Sequence, residues 1–221
     1  AISFIIGMSL MGSVTFLPLY LQVVKGSSPS AAGMQLLPLM GALLVSSIVS
    51  GRIISRIGRY RLFPIFGTLL SFIGMLMLGN LTLSTTLPQL YLYIGVLGFG
   101  LGMVMQVLVL AVQNSVSMKQ LGVATSSVTL FRSIGGSIGV AAFGALFTQG
   151  LRSQLEKLIP EGTPIPRSLS AQAVQQLPAT IRDDYLQAFA TALHSVYQIS
   201  AGVMVLAFVL SLLQKDVVLK K

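Results

Sequence analysis

The side chains of this chain that could do chemistry bind rather than break bonds. Residues 51–61 read GRIISRIGRYR, which places Arg52, Arg56, Arg59 and Arg61 within eleven residues and no acid among them. A guanidinium is charged at every physiological pH, so such a block must face water and cannot serve as a general base. Arg132 stands alone in LFRSIGG, well inside a long apolar run. A charge there is costly unless its stem snorkels to a surface or its head meets a cavity or a partner. A third set is neutral. Phe99, Met103, Gln106, Leu110 and Gln113 are separated by steps of 4, 3, 4 and 3 and so share one helix face. An amide in apolar surroundings needs a partner or water; this face therefore looks into a cavity or onto a neighbouring helix. Ser9, Gly12, Ser13, Phe16 and Tyr20 form a weaker mixed face of the same kind.

Other chemistry is excluded by composition. There is no cysteine, hence no disulfide and no thiolate ligand. His194 is the single histidine, with no Cys, Asp or Glu beside it to complete a metal site. No serine pairs convincingly with His194 as nucleophile and base, so no catalytic residue, metal or cofactor is expected and the chain does not read as an enzyme. The glycines around Gly98 and Gly102 lie inside an apolar run, where a phosphate-binding loop has no place.

The elements that must carry these residues are membrane spans. Apolar residues make up 54% of the chain and charged ones 9%, with mean hydropathy +0.86, whereas a soluble domain has about 25% charged residues. Six runs are long enough to cross a bilayer: 2–24, 31–54, 62–82, 88–113, 122–149 and 188–213. The turn KGSSPSAAG at 25–33 offers Ser28 or Ser30 as a helix cap. Pro18 and Pro38 are possible kinks. Gly98/Gly102 and Gly135/Gly139 are spaced for close helix packing. Residues 1–149 thus hold five spans, 150–187 a long hydrophilic loop with SLSAQAVQQL (168–177) as a short surface helix, 188–214 the last span and 215–221 a tail. The chain starts at Ala1 without a signal sequence and is expected to be part of a longer protein.

Charge sets the orientation. With the arginine block inside, Lys119, Lys215, Lys220 and Lys221 join it, with Asp216 as the one acid. The long outer loop is neutral, its acids Glu156, Glu161, Asp183 and Asp184 balanced by Arg152, Lys157, Arg167 and Arg182. This is the positive-inside pattern, with both ends of the segment cytoplasmic. Tyr20, Tyr91, Tyr93, Tyr185 and Tyr197 near the outer ends, and Tyr60 near the inner one, are placed as an interfacial belt. The net charge of +9 lies in loops between spans, which argues against nucleic acid as a partner. No Asp, Glu or Lys lies in any span, so this segment carries no proton-binding group at membrane depth.

GRIISRIGRYR resembles the cytoplasmic loop motif of the major facilitator superfamily, roughly G-x-x-x-D-R-x-G-R-R/K. Gly51, Arg56, Gly58 and Arg59 match, Arg61 comes one residue late, and Ser55 stands where the family has Asp. Together with FLPLYLQVVKGSSPSAAGMQLLP (16–38), AVQNSV (111–116) and GVATSSVTLFRSIGGSIGVAAFG (122–144), nearly the whole chain is similar to the fourteen-helix drug/proton antiporters of the EmrB/QacA type. The resemblance implies an all-α, six-helix C-terminal half-bundle of two inverted three-helix units in a bacterial inner membrane. It implies export of apolar or cationic small molecules, with protons handled by carboxylates of a missing N-terminal half. It also implies a substrate path lined by the first helix of each unit, and so by Phe16, Phe99, Met103, Gln106 and Gln113; Arg132 joins these as a candidate on its own position within an apolar run. The rival expectation is a half-size six-helix channel or homodimerising subunit without proton coupling.

Overall fold

The computed structural model describes residues 1–158, 174 and 177–214, and these are mostly helical. The helices are α1 (Ile2–Val23), α2 (Pro29–Met34), α3 (Leu37–Ile57), α4 (Leu62–Gly79), α5 (Leu87–Ser115), α6 (Leu121–Leu158) and α7 (Ala179–Leu212), with a 3-10 turn at Met118–Gln120. They supply six segments long and apolar enough to cross a membrane, α2 and α3 together counting as one. The tail lysines Lys215, Lys220 and Lys221, with Asp216, Glu161, Arg167 and most of 168–177, lie outside the described residues.

Local signals explain the boundaries. Ser28 caps α2, its hydroxyl accepting from the Ala31 amide at 3.2 Å, and Pro29 follows as the first helical residue. Pro38 does not kink one long helix. A proline ring clashes with the carbonyl four residues back, here that of Met34, and α2 ends at Met34 before α3 starts. The span expected at 31–54 is thus two helices. By contrast α1 continues through Pro18. At the start of α5, Thr86 and Gln89 form a reciprocal capping box, the Thr86 amide donating to Gln89 Oε1 at 3.0 Å. Gly58, at φ 75, ends α3 in the left-handed conformation, which a residue with a Cβ adopts only at a cost.

The loop expected over 150–187 is shorter. α6 runs on to Leu158 and α7 begins at Ala179. Helix length and apolar length are separate properties: the 38 residues of α6 span about 57 Å at roughly 1.5 Å per residue, against about 30 Å of hydrocarbon. Leu151 and Leu155 are buried at the far end of α6, so the two helices remain packed where the sequence turns hydrophilic.

The packing has an internal pattern. In chain order the spans fall into two sets of three, up to Gly79 and from Leu87. The first helix of each set packs along the second helix of the other: α1 along α6, and α5 along α3. The third helices, α4 and α7, pack on one another. That exchange is what two inverted three-helix units related by a two-fold axis produce. Glycines allow the close approach. A Cβ at Gly98 would strike the Leu39 carbonyl oxygen, one at Gly102 the Ser46 hydroxyl and the Leu43 carbonyl, and one at Gly135 the Phe4 carbonyl. At Gly139 it would lie 2.7 Å from Met8 Cα. Where α1, α6 and α7 meet, the Phe147 ring lies 5.6 Å from that of Phe16 and 5.0 Å from that of Phe189 between centroids.

The tyrosines correct one expectation. Tyr20, Tyr60, Tyr185 and Tyr197 are buried in the bundle and do not form a belt toward lipid. Tyr20 shows why: its hydroxyl donates to the Thr82 carbonyl at 2.8 Å, so a loop and not the bilayer surface satisfies it.

Candidate functional site

Two clefts flank the helix pairs. The first, about 540 Å³, opens between α3 and α5 and is lined by Ser47, Ile48, Gly51, Arg52, Ser55, Arg56, Gln106 and Leu110. It brings the arginine block and the glutamine face together, which their separation in sequence does not disclose. Gln106 lies over Gly51, where an added Cβ would sit 3.7 Å from Gln106 Cγ. Ser47 Oγ donates to the Gly102 carbonyl at 3.0 Å and ties the two walls. Arg52 and Arg56 are one helical turn apart and exposed. Ser55 does not reach toward either; its hydroxyl donates back to the Gly51 carbonyl at 2.9 Å. The motif position that holds an acid in the resembling family here makes only a local bond.

The rest of the block is placed differently. Gly58 turns the chain, Arg59 is exposed, and Arg61 Nη2 donates to the Leu212 carbonyl at the end of α7, 3.1 Å away. Lys119 follows α5 at this same end. Among the described residues the acids are Glu156, Asp183 and Asp184, all near the opposite end of the bundle. The one ion pair among the described residues is Arg152–Glu156 at 2.9 Å, exposed and within α6. Among the described residues the arginine end is therefore positive without local compensation.

The α5 face largely stays on the unburied side of its helix. Phe99 is exposed, and Met103, Gln106, Leu110 and Gln113 are half-buried, while Ile94, Leu97, Leu101, Val104 and Leu108 fill the core. Its members diverge in their contacts. Met103 Cβ lies 3.0 Å from where a Cβ at Gly67 of α4 would be. Gln113 Nε2 donates to Thr125 Oγ1 at 3.0 Å, a bond from α5 to α6. Phe16 does not join them: it is buried against Phe147, because its side of α1 turns toward α6 and the core.

The second cleft, about 450 Å³, lies between α1 and α6 and holds Arg132 with Met11, Ser133, Gly136, Ser137 and Val140. Met11, Ser133 and Ser137 were not legible as its neighbours. Ser133 and Ser137 recur one turn apart beside Arg132, a signal visible only once that arginine is known to face a cleft.

The other end is held by polar contacts to the loop between α4 and α5. Lys25 Nζ donates to the Leu83 carbonyl at 2.7 Å, and partial burial pushes the Lys25 amine below its ordinary range. His194 Nδ1 meets the Gly79 carbonyl at the end of α4. No group of three metal-ligating side chains occurs among the described residues.

Comparison with known proteins adds the family. The profile described as Major Facilitator Superfamily matches residues 1–140. An uncharacterized MFS-type transporter of Mycobacterium tuberculosis is 40% identical over 98% of this chain and 32% of its own length. The multidrug transporter protein MdtP of Bacillus subtilis is 35% identical over 79% of this chain and 32% of its own length. A tetracycline resistance determinant of Streptomyces rimosus is 38% identical over 68% of this chain and 44% of its own length. The chain thus spans less than half the length of each of these curated relatives.

Proposed function

The chain belongs to the Major Facilitator Superfamily, and from that premise we propose that it is the C-terminal six-helix bundle of a secondary transporter that exports drug-like small molecules. The observation that carries this is the exchanged packing of α1 with α6 and α5 with α3, the architecture on which alternating access by rocking bundles depends. The lengths of the relatives, two to three times that of the matched segment, support a second bundle of the fourteen-helix antiporter arrangement. The names of two relatives support efflux of multiple drugs or tetracycline as the class of activity.

In this proposal the cargo is apolar or cationic and passes Phe99, Met103 and Gln106, Arg132 lines a separate cleft beside that path, and Phe16 and Gln113 act through packing. Protons are carried by carboxylates of the other bundle, since no Asp, Glu or Lys lies in the apolar runs of this one. The cleft of Arg52, Arg56 and Gln106 forms the cytoplasmic end of the path, and both ends of this segment face the cytoplasm of a bacterial inner membrane. Residues 150–187 lie outside, and 215–221 inside.

The test is dye efflux by the complete transporter, with and without a proton gradient. Gradient-dependent efflux whose substrate ranking shifts in Gln106→Leu is expected. Flux that ignores the gradient overturns the antiporter assignment in favour of a channel.

A further inference from the structure

Arg132 is the only charged residue between Leu121 and Leu151 of α6. Its surroundings are fixed by backbone contacts. The Arg132 carbonyl abuts Gly7 of α1, Gly135 abuts the Phe4 carbonyl, and Gly139 lies on Met8. These contacts set which face of α6 meets α1, and Arg132 lines the cleft on that side together with Met11 and Val140. Two hydroxyls line the same cleft. Ser137 Oγ donates to the Ser133 carbonyl at 3.1 Å, and Ser133 Oγ makes no hydrogen bond to any described residue. The Arg132 side chain likewise has no hydrogen bond or ion pair among the described residues, where the one ion pair is Arg152–Glu156.

The nearest acid along α6 is Glu156, 24 residues on, or about 36 Å at roughly 1.5 Å per residue. α1 has no acid at all. The cleft therefore offers a guanidinium with five N–H donors, a free hydroxyl donor and two apolar walls. It offers no counter-charge. A cation is repelled here, and an anion finds charge-assisted donors. The volume, about 450 Å³, is that of a small-molecule pocket.

We propose that the Arg132 cleft binds the ionised acid group of an apolar transported molecule, a carboxylate, phenolate or sulfonate whose hydrophobic body lies on Met11 and Val140. This rests on the transport assignment and widens its substrate class: cations are left to the carboxylates of the other bundle, and acids are taken by this one.

The experiment uses the complete transporter purified in detergent, titrated against carboxyfluorescein and, separately, ethidium, with fluorescence anisotropy as the readout. Arg132→Gln should weaken carboxyfluorescein binding about tenfold or more, the range of a lost charge-assisted bond, and leave ethidium binding within about twofold. Arg132→Lys, which keeps the charge and loses the fork, should fall between. Equal losses for both dyes would assign Arg132 to packing and overturn the proposal, as would wild-type protein that binds carboxyfluorescein no better than Arg132→Gln does. Recovery of Arg132→Gln on neutralising a carboxylate elsewhere in the protein would overturn it too, by assigning an internal ion pair. The same variants in dye efflux separate the two assignments: selective anion binding without any dye export keeps the Arg132 site and sinks the transport reading.

Discussion

Arg61 Nη2 donates to the carbonyl oxygen of Leu212 across 3.1 Å, joining the short loop after α3 to the last turn of α7. The last turn of α7 has no basic residue of its own, so its unpaired carbonyls and the negative end of its dipole are met by a cation from elsewhere. Tyr60, next in the loop, is buried against Ile54 and Val107 and holds the backbone in place. The arginine block thus divides: Arg61 is tied to a helix end, while Arg52 and Arg56 line an open cleft.

Replacing Arg61 by Ala should lower the thermal midpoint of the detergent-solubilised protein by a small amount. The bond is exposed, and such contacts contribute about 0.5–1 kcal/mol. Arg61→Lys should recover part of it, because the charge remains near the helix end. A loss as large as that of a core truncation would mean that the Leu212 contact organises far more of the α4–α7 interface than its geometry implies.

The glycines divide by what surrounds them. Gly135→Ala puts a methyl into the Phe4 carbonyl and Gly98→Ala puts one into that of Leu39. Backbone cannot yield as a side-chain tip does, so each should destabilise by about 1–3 kcal/mol. Gly144 and Gly95 have open space around the same position. Gly144→Ala and Gly95→Ala should be neutral or stabilising by up to about 1 kcal/mol, the propensity difference between the residues in a helix. Thermal unfolding of the four variants checks the ranking, and equal effects would refute it.

Much of this was legible because hydropathy reports what lipid requires. The number and rough place of the six spans and the close-packing glycines Gly98, Gly102, Gly135 and Gly139 were legible, while several helix ends were not. What failed to show depends on contacts between distant segments. Leu151–Leu158 continues α6 although its charges read as loop, because a helix does not stop where the membrane does. Phe16, a path candidate by type, is buried beside Phe147, a direction its type does not disclose. The break at Pro38 followed from its ring and the Met34 carbonyl, a local rule that periodicity does not register. Gln106 beside Gly51 joins two motifs read separately, and Arg132 gained its serine neighbours only when α6 met α1.

Gln113 and Thr125 provide a measurable link between α5 and α6. With Gln113 Nε2 and Thr125 Oγ1 at 3.0 Å, Gln113→Leu and Thr125→Val should each destabilise, and the double variant should cost less than their sum. The coupling energy expected is about 0.6 kcal/mol, the average for polar pairs between membrane helices. Additive losses would show that the bond is not formed in the membrane. Substrate ranking in efflux should not change in Gln113→Leu, in contrast to Gln106→Leu.

Orientation can be read with single cysteines in a transporter whose other segments are made cysteine-free, since this segment has no cysteine of its own. Ser84→Cys lies in the loop between α4 and α5, and Lys119→Cys in the turn between α5 and α6, at opposite ends of α5. In intact cells an impermeant maleimide should label Ser84→Cys and spare Lys119→Cys, and opening the cells should expose the second. The opposite result would place the arginine block outside. If the block itself fixes this arrangement, replacing Arg52, Arg56, Arg59 and Arg61 together by Gln should produce a labelled population at Lys119→Cys in intact cells. Juxtamembrane cations count toward orientation individually, so Arg61→Gln alone should not produce it. Normal topology in the fourfold variant with slowed dye export would instead assign the block to the opening and closing of the path, the role its place beside Gln106 allows.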